Sequence, residues 1–209
     1  MDANQETRSN PFSMDEACTN CDLCETRTNV VHGYGDVGAE FLFVGEMPNA
    51  GADETGIPFT GDSAGERLQD ILGRLGLSES PPDADDPEIE NAFLTYLTRC
   101  YHPERGPNDS EIMTCEPYLN AEIRMINPEI LVPVGERALE AIATEYTTTR
   151  ASDLDIAADH ATTIRGRGFE LVPMVHPGKQ TDEQTEAFVK AFAELMGTDY
   201  RQTKGRQGR

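Results

Sequence analysis

Five cysteines in a chain of 209 residues offer the first chemistry. Cys18-Thr19-Asn20-Cys21 sets two thiols on one tight turn and Cys24 follows closely. Cys100 and Cys115 form a second pair, separated by a proline- and glycine-bearing loop and the start of a helix. Structural disulfides are rare in a reducing cytoplasm, so thiols in this number ask for a metal. Four thiolates are the usual complement of a cubane iron-sulfur cluster or of a structural zinc, and spacing alone admits both. Buried cysteines acting as small hydrophobes are the plain alternative, but Cys18, Cys21 and Cys24 lie in a polar segment with little core to join. One cysteine is spare, and on spacing alone Cys24 could replace Cys18 or Cys21.

A second set of reactive types follows the apolar runs: Gly45-Glu46-Met47-Pro48, Thr98-Arg99-Cys100, Gly135-Glu136 and His176-Pro177. A glycine, a carboxylate and a histidine placed together are parts of an acid-base or charge-stabilising site. The elements that must position them are legible in the pattern. Residues 41–44, 92–97, 130–134 and 171–175 are short apolar runs that read as buried strands. Helical spacing runs over 64–75, 109–126, 136–144 and 182–196. Strand and helix alternate, which predicts a three-layer α/β/α domain on a mostly parallel four-stranded sheet, with ligands held beyond the carboxyl ends of the strands. Residues 78–90, rich in Pro, Asp and Glu, read as a solvated loop. The domain is expected over residues 13–197, with flexible termini at 1–12 and 198–209.

Lys and Arg total 17 against 38 Asp and Glu, a formal charge of −21, and the only lysines are Lys179, Lys190 and Lys204. Such a balance ordinarily argues against a polyanionic partner. Acids spread along the whole chain also look like the surface of a protein that works in concentrated salt. There the Debye length shrinks to about 3 Å and repulsion is screened. Nucleic-acid binding then rests on stacking and hydrogen bonds. The local exception is the tail with Arg201, Lys204, Arg206 and Arg209, read first as a disordered terminus and second as a phosphate-contacting arm. The first residues carry neither a basic start nor an apolar stretch, and no long apolar run follows, so a cytoplasmic protein without membrane insertion is expected.

Taken in order, CxxC followed by R-T-N-V-V, F-L-F-V-G-E-M-P, D-E-T-G-I-P-F-T-G-D-S-A-G, Arg99-Cys100, Cys115-Glu116-Pro117-Tyr118-Leu119, Val134-Gly135-Glu136-Arg137 and Val175-His176-Pro177 resembles the iron-sulfur uracil-DNA glycosylases, family four of their superfamily. The resemblance covers roughly residues 18–196. It implies that Cys18, Cys21, Cys100 and Cys115 bind a [4Fe-4S] cluster and that Cys24 does not. It implies that Phe59 stacks on an extruded base, that His176 stabilises the departing uracil anion, and that the loop with Gly45, Met47, Pro48 and Asn49 frames the sugar carbon. Glu46 and Asp53 are the candidate carboxylates. The implied partner is DNA carrying uracil or another deaminated base, met by a monomer in base excision repair. Three positions depart from the family pattern: Asn49, Ala52 and Tyr96 stand where a glycine, an acid and a uracil-reading asparagine are usual. Gly178-Lys179-Gln180-Thr181 replaces the usual groove-inserting residues, and no basic insertion precedes His102, so covalent trapping is not expected. A catalytically altered member that binds nucleic acid without base excision is the second reading, favoured by Tyr96 and Ala52. An electron-transfer protein comes last. His32, His102 and His160 carry no comparable support.

Overall fold

The structure, a computed structural model, describes residues 7–200. In chain order its elements are β1 (Tyr34–Gly35), β2 (Phe41–Gly45), α1 (Ala50–Thr55), α2 (Ser63–Arg74), β3 (Ala92–Tyr96), α3 (Asp109–Ile126), β4 (Ile130–Pro133), α4 (Glu136–Tyr146), β5 (Ile164–Arg165), β6 (Glu170–Leu171) and α5 (Asp182–Met196). The sheet order is β1-β3-β2-β4-β6-β5. The four central strands are mutually parallel, as expected. Two antiparallel pairs extend the sheet to six strands. The edge strands β1 and β5 are two residues long and too short to show a period.

Strands β2, β3 and β4 are buried along their whole length, which is why they read as continuous apolar runs: a parallel sheet is covered on both faces. Successive side chains still point to opposite faces. Phe41, Phe43, Leu94, Tyr96, Ile130 and Val132 join one core with Leu68, Leu72, Phe188 and Phe192 of α2 and α5. Leu42, Val44, Phe93 and Leu131 join the other, with Leu119, Ile123 and Ile142 of α3 and α4. Each such fully buried side chain contributes about 1.5–3 kcal/mol.

The run 171–175 forms only the two-residue β6 and an isolated bridge between Val134 and Met174. Pro173 has no N–H to give the ladder, so pairing is interrupted there. The helices start where their caps are: Asn108 and Glu111 form a capping box at α3, and Thr181 and Gln184 form one at α5. The sequence pattern did not foretell α1, whose six residues hold no apolar period.

The termini depart from expectation inside the described residues. Phe12 is buried and its ring meets that of Phe93 at 5.9 Å, and the Asn10 N–H donates to the Gly33 carbonyl. Tyr200 packs on Phe41 at 5.5 Å. Residues 7–12 and 198–200 therefore belong to the domain, because Phe12 and Tyr200 supply aromatic surface that the sheet ends would otherwise leave bare. The basic tail 201–209 and residues 1–6 lie outside the described residues. Among those described, no helix is long and apolar enough to cross a membrane.

Candidate active site and thiol centre

Gly45 closes β2, Tyr96 closes β3, and the two are paired in register. A side chain at Gly45 is impossible: a Cβ there would stand 2.7 Å from both the Phe59 and the Tyr96 ring. The Phe59 and Tyr96 rings meet at 4.7 Å, tilted by 35°. Phe59 has a φ of 57°, the left-handed region, which costs a non-glycine residue of order 1–2 kcal/mol. The surroundings hold it there. Its N–H donates to the Tyr96 hydroxyl at 2.8 Å, its carbonyl accepts from Gln69 Nε2 at 3.3 Å, and Gly65 lets the α2 backbone press against it.

Glu46 follows Gly45 at the strand end, is half-buried, and accepts the Arg137 N–H at 3.0 Å through Oε1. Gly135, at φ 99°, makes room for that carboxylate; a Cβ there would overlap Oε1 at 2.4 Å. His176 lies near enough for Glu46 to act on it. Its Nδ1 accepts the Gly178 N–H at 3.2 Å. In a neutral ring the proton then sits on Nε2, an assignment read from this bond. Burial holds its pKa below the ordinary value, with Lys179 adding to the effect and Glu46 and Asp62 opposing it. The turn beneath is fixed by Gln180, whose Nε2 donates to the Val175 carbonyl at 2.6 Å and whose Oε1 accepts from Thr185 at 2.8 Å.

Several expected site residues have other work. Asp53 is buried, and its carboxylate accepts the Thr28 N–H on both oxygens (2.9 and 2.8 Å) and the Asn29 N–H at 3.1 Å. It ties α1 to the segment after the first cysteines, so its burial and its two backbone partners give the expected catalytic carboxylate a structural task. Asn49 caps α1, accepting the Ala52 N–H at 2.6 Å. Tyr96 was expected at the base edge, yet its hydroxyl oxygen is engaged by Phe59, and burial pushes its acidity down so that it stays protonated. Met47 is half-buried and Pro48 buried in the connection to α1. Asp62 was missed: it caps α2, accepting the Gly65 N–H at 2.7 Å, and its charge acts on both His176 and Tyr96. Gly61-Asp62-Ser63 ahead of a periodic run signals a cap and nothing more.

The cysteines come together from three places. Cys18 and Cys21 precede a short 3-10 helix, Asp22–Glu25; Cys100 follows β3; Cys115 lies in α3. Cys18, Cys100 and Cys115 are buried. Burial pushes the Cys100 thiol up to about 12 and also raises Cys115 and Cys21. Each is raised further by its neighbours: Cys100 by Cys115 and Cys21, Cys115 by Cys21 and Cys18, and Cys21 by Glu111, Cys18 and Cys24. Among the described residues, no three His, Cys, Asp or Glu side chains stand in the geometry that holds a metal ion. A cubane asks for a different arrangement, one thiolate on each of four irons and hence thiolates held further apart.

Two arginines line this centre. Arg27 donates to the Cys18 carbonyl at 2.7 Å, and its charge acts on Cys100, opposing the effect of burial there. Arg99 is fully buried; its N–H bonds the Cys115 sulfur and its guanidinium pairs with the equally buried Glu122 at 2.7 Å and with Thr95. Yet Arg27 Nη1 and Arg99 Nε are buried donors without a partner. Four convergent thiols and two orphaned cationic donors fit an anionic, sulfur-rich group.

The comparisons with known proteins agree with this architecture. A profile of the uracil DNA glycosylase superfamily matches residues 32–196. A type-4 uracil-DNA glycosylase of Archaeoglobus fulgidus is 30% identical over 196 residues, covering 87% of this chain and 89% of that protein. One from Sulfurisphaera tokodaii is 37% identical over 128 residues, 60% of this chain and 53% of the relative. A type-5 uracil-DNA glycosylase of Pyrobaculum aerophilum is 28% identical over 167 residues, 78% and 72% of the two chains. The chain belongs to the uracil DNA glycosylase superfamily.

Proposed function

We propose that this protein hydrolyses the bond between deoxyribose and uracil, or another deaminated base, in DNA. The single observation that carries this is Glu46 acting on a neutral His176 beyond the strand ends, with Phe59 packed beside the neighbouring Gly45. Loss of a base leaves positive charge on the sugar and negative charge on the base. His176, with Nδ1 occupied by Gly178, carries its proton on Nε2 and donates it as a hydrogen bond to the carbonyl oxygen where the anion grows. Glu46, oriented by the Arg137 N–H, places a carboxylate to hold water and offset the sugar's charge. Phe59 supplies the face on which an extruded base stacks. Tyr96 keeps the loop that bears Phe59 in its left-handed turn.

The thiol set Cys18, Cys21, Cys100 and Cys115 is proposed to hold a [4Fe-4S] cluster, with Cys24 outside it. When bound, such a group supplies iron-sulfur cross-links that tie the N-terminal segment to β3 and α3. DNA is the proposed partner, a monomer the proposed form and the cytoplasm the proposed location.

A specific observation supports a second reading. The Tyr96 ring lies against Phe59 at 4.7 Å with its hydroxyl oxygen already engaged, which favours a member that binds nucleic acid without excising a base. Incubation of the purified protein at high salt with single- and double-stranded oligonucleotides carrying uracil, hypoxanthine or xanthine separates the two. Abasic-site cleavage is expected from the first reading, and intact strands with measurable binding from the second.

A further inference from the structure

Buried guanidinium donors seldom lack a partner, because desolvating a charged N–H without a hydrogen bond costs more than an ordinary contact returns. Arg27 and Arg99 break this rule side by side, and both do so at the thiols. Arg27 comes from the segment after Cys21, reaches the Cys18 carbonyl with Nη2, lies close enough to Cys100 for its charge to act on that thiol, and leaves Nη1 buried and without a partner among the described residues. Arg99 comes from the end of β3, bonds Thr95 and Glu122, holds the Cys115 sulfur with its backbone N–H, and leaves Nε bare. The two guanidinium charges act on the second pair of thiols, Arg27 on Cys100 and Arg99 on Cys115, while Arg27 also reaches the Cys18 backbone. Glu122 also accepts the Gly33 N–H at 3.1 Å, so Arg99 is held from behind by a buried carboxylate that is itself anchored to the chain.

We propose that Arg27 and Arg99 are positioning residues for the iron-sulfur group, their free N–H donors reaching its sulfurs and their charges offsetting the thiolates, so that together they raise its reduction potential and its retention. This rests on the cluster reading above. Hydrogen bonds to the sulfurs and nearby positive charge favour the more reduced, more negative state of such a group. Arg99 is neutralised in part by Glu122, whereas among the described residues Arg27 forms no ion pair and donates to a backbone carbonyl. Arg27 therefore has the larger effect on potential.

The test compares the wild-type holoprotein with Arg27→Met, Arg27→Lys and Arg99→Lys. It uses visible absorbance, iron content, competition with a chelator, and a potentiometric titration with dithionite and ferricyanide as reductant and oxidant. Arg27→Met removes a donor without stranding a buried carboxylate, so its fold is retained; if it takes up no iron, Arg27→Lys is read in its place. A lowered midpoint potential and roughly 10–100-fold weaker iron retention in the Arg27 variant are expected, with Arg99→Lys shifted less. A variant that holds full iron at the wild-type potential would overturn the proposal, since a merely structural arginine leaves the potential unmoved. A colourless, iron-free wild type after anaerobic purification fails at the earlier step, the cluster itself.

Discussion

Among the described residues, Arg27 Nη1 and Arg99 Nε are buried donors with no acceptor around the thiols, while beyond the strand ends Asp53, Asn49 and Tyr96 each commit their side chains to backbone N–H groups. The difference separates scaffold from site. A buried polar group whose bonds are closed within the chain holds a loop; one left open points to something the chain alone does not supply. Glu46 and Asp53 show the same contrast within one connection. Asp53 is buried and accepts two backbone N–H groups, one of them on both oxygens, whereas half-buried Glu46 accepts one, on a single oxygen.

The largest effect expected from this contrast is at the thiols. Cys100→Ser or Cys115→Ser should abolish visible absorbance and iron, and because binding of such a group is also folding free energy, the melting temperature should fall by roughly 10 °C or more, at about 2–4 °C per kcal/mol. Iron retained in full by either variant would remove that cysteine from the ligand set.

The two carboxylates should then part company. Asp53→Ala strands the Thr28 and Asn29 amides and should cost about 3 kcal/mol, a drop of roughly 6–12 °C in Tm, with activity per folded molecule kept. Glu46→Gln preserves the Arg137 bond and should leave Tm in place while slowing excision about 100-fold. The reverse pattern would exchange their roles.

Acid should act on two histidines in the same sense. Burial and the Arg99 charge lower His32 to about 4, below the ordinary value of about 6.5. Between those values the unfolded chain binds a proton that the folded chain refuses, so stability is full above about 6.5 and falls by about 3 kcal/mol as the pH drops toward 4. His32→Gln should flatten that slope. His176 is lowered as well, so excision should hold its rate below pH 6.5 and decline only in more acid solution; a rate that halves near the ordinary histidine value would mean that His176 is not held neutral. The smallest effect is at the cap: Asn49→Ala should cost about 1 kcal/mol through α1, seen in thermal melts and not in base recognition.

Much of this was legible in the sequence. The four parallel strands and four of the five helices came from periodicity, because buried parallel strands are continuously apolar and long helices repeat their apolar face. The edge pairs β1 and β5 were not legible, being two residues long, and neither was α1, which is fixed by the Asn49 cap. The packing of Phe12 and Tyr200 was hidden because each is a single aromatic in a polar stretch. In the site, Glu46 and His176 were singled out by their places after strands and Phe59 by resemblance and its flanking glycines, and the structure buries Phe59 in the core against Tyr96. Asp53 was misread because an acid on a loop looks the same whether it faces water or closes on Thr28. Asp62 and Arg27 were missed, and Arg99 was read only as a neighbour of Cys100, for the same reason: sequence shows a side chain's type, and only the fold shows which of its bonds remain open.

Base excision by Phe59, Glu46 and His176 can be followed in solution. The most direct measurement incubates the iron-loaded protein and its His176→Ala variant with a uracil-bearing oligonucleotide at high salt and follows free uracil and abasic sites. Release by the wild type, lost in the variant while absorbance and iron stay unchanged, is the predicted result; equal release by both, or none by the wild type on any deaminated base, would contradict it.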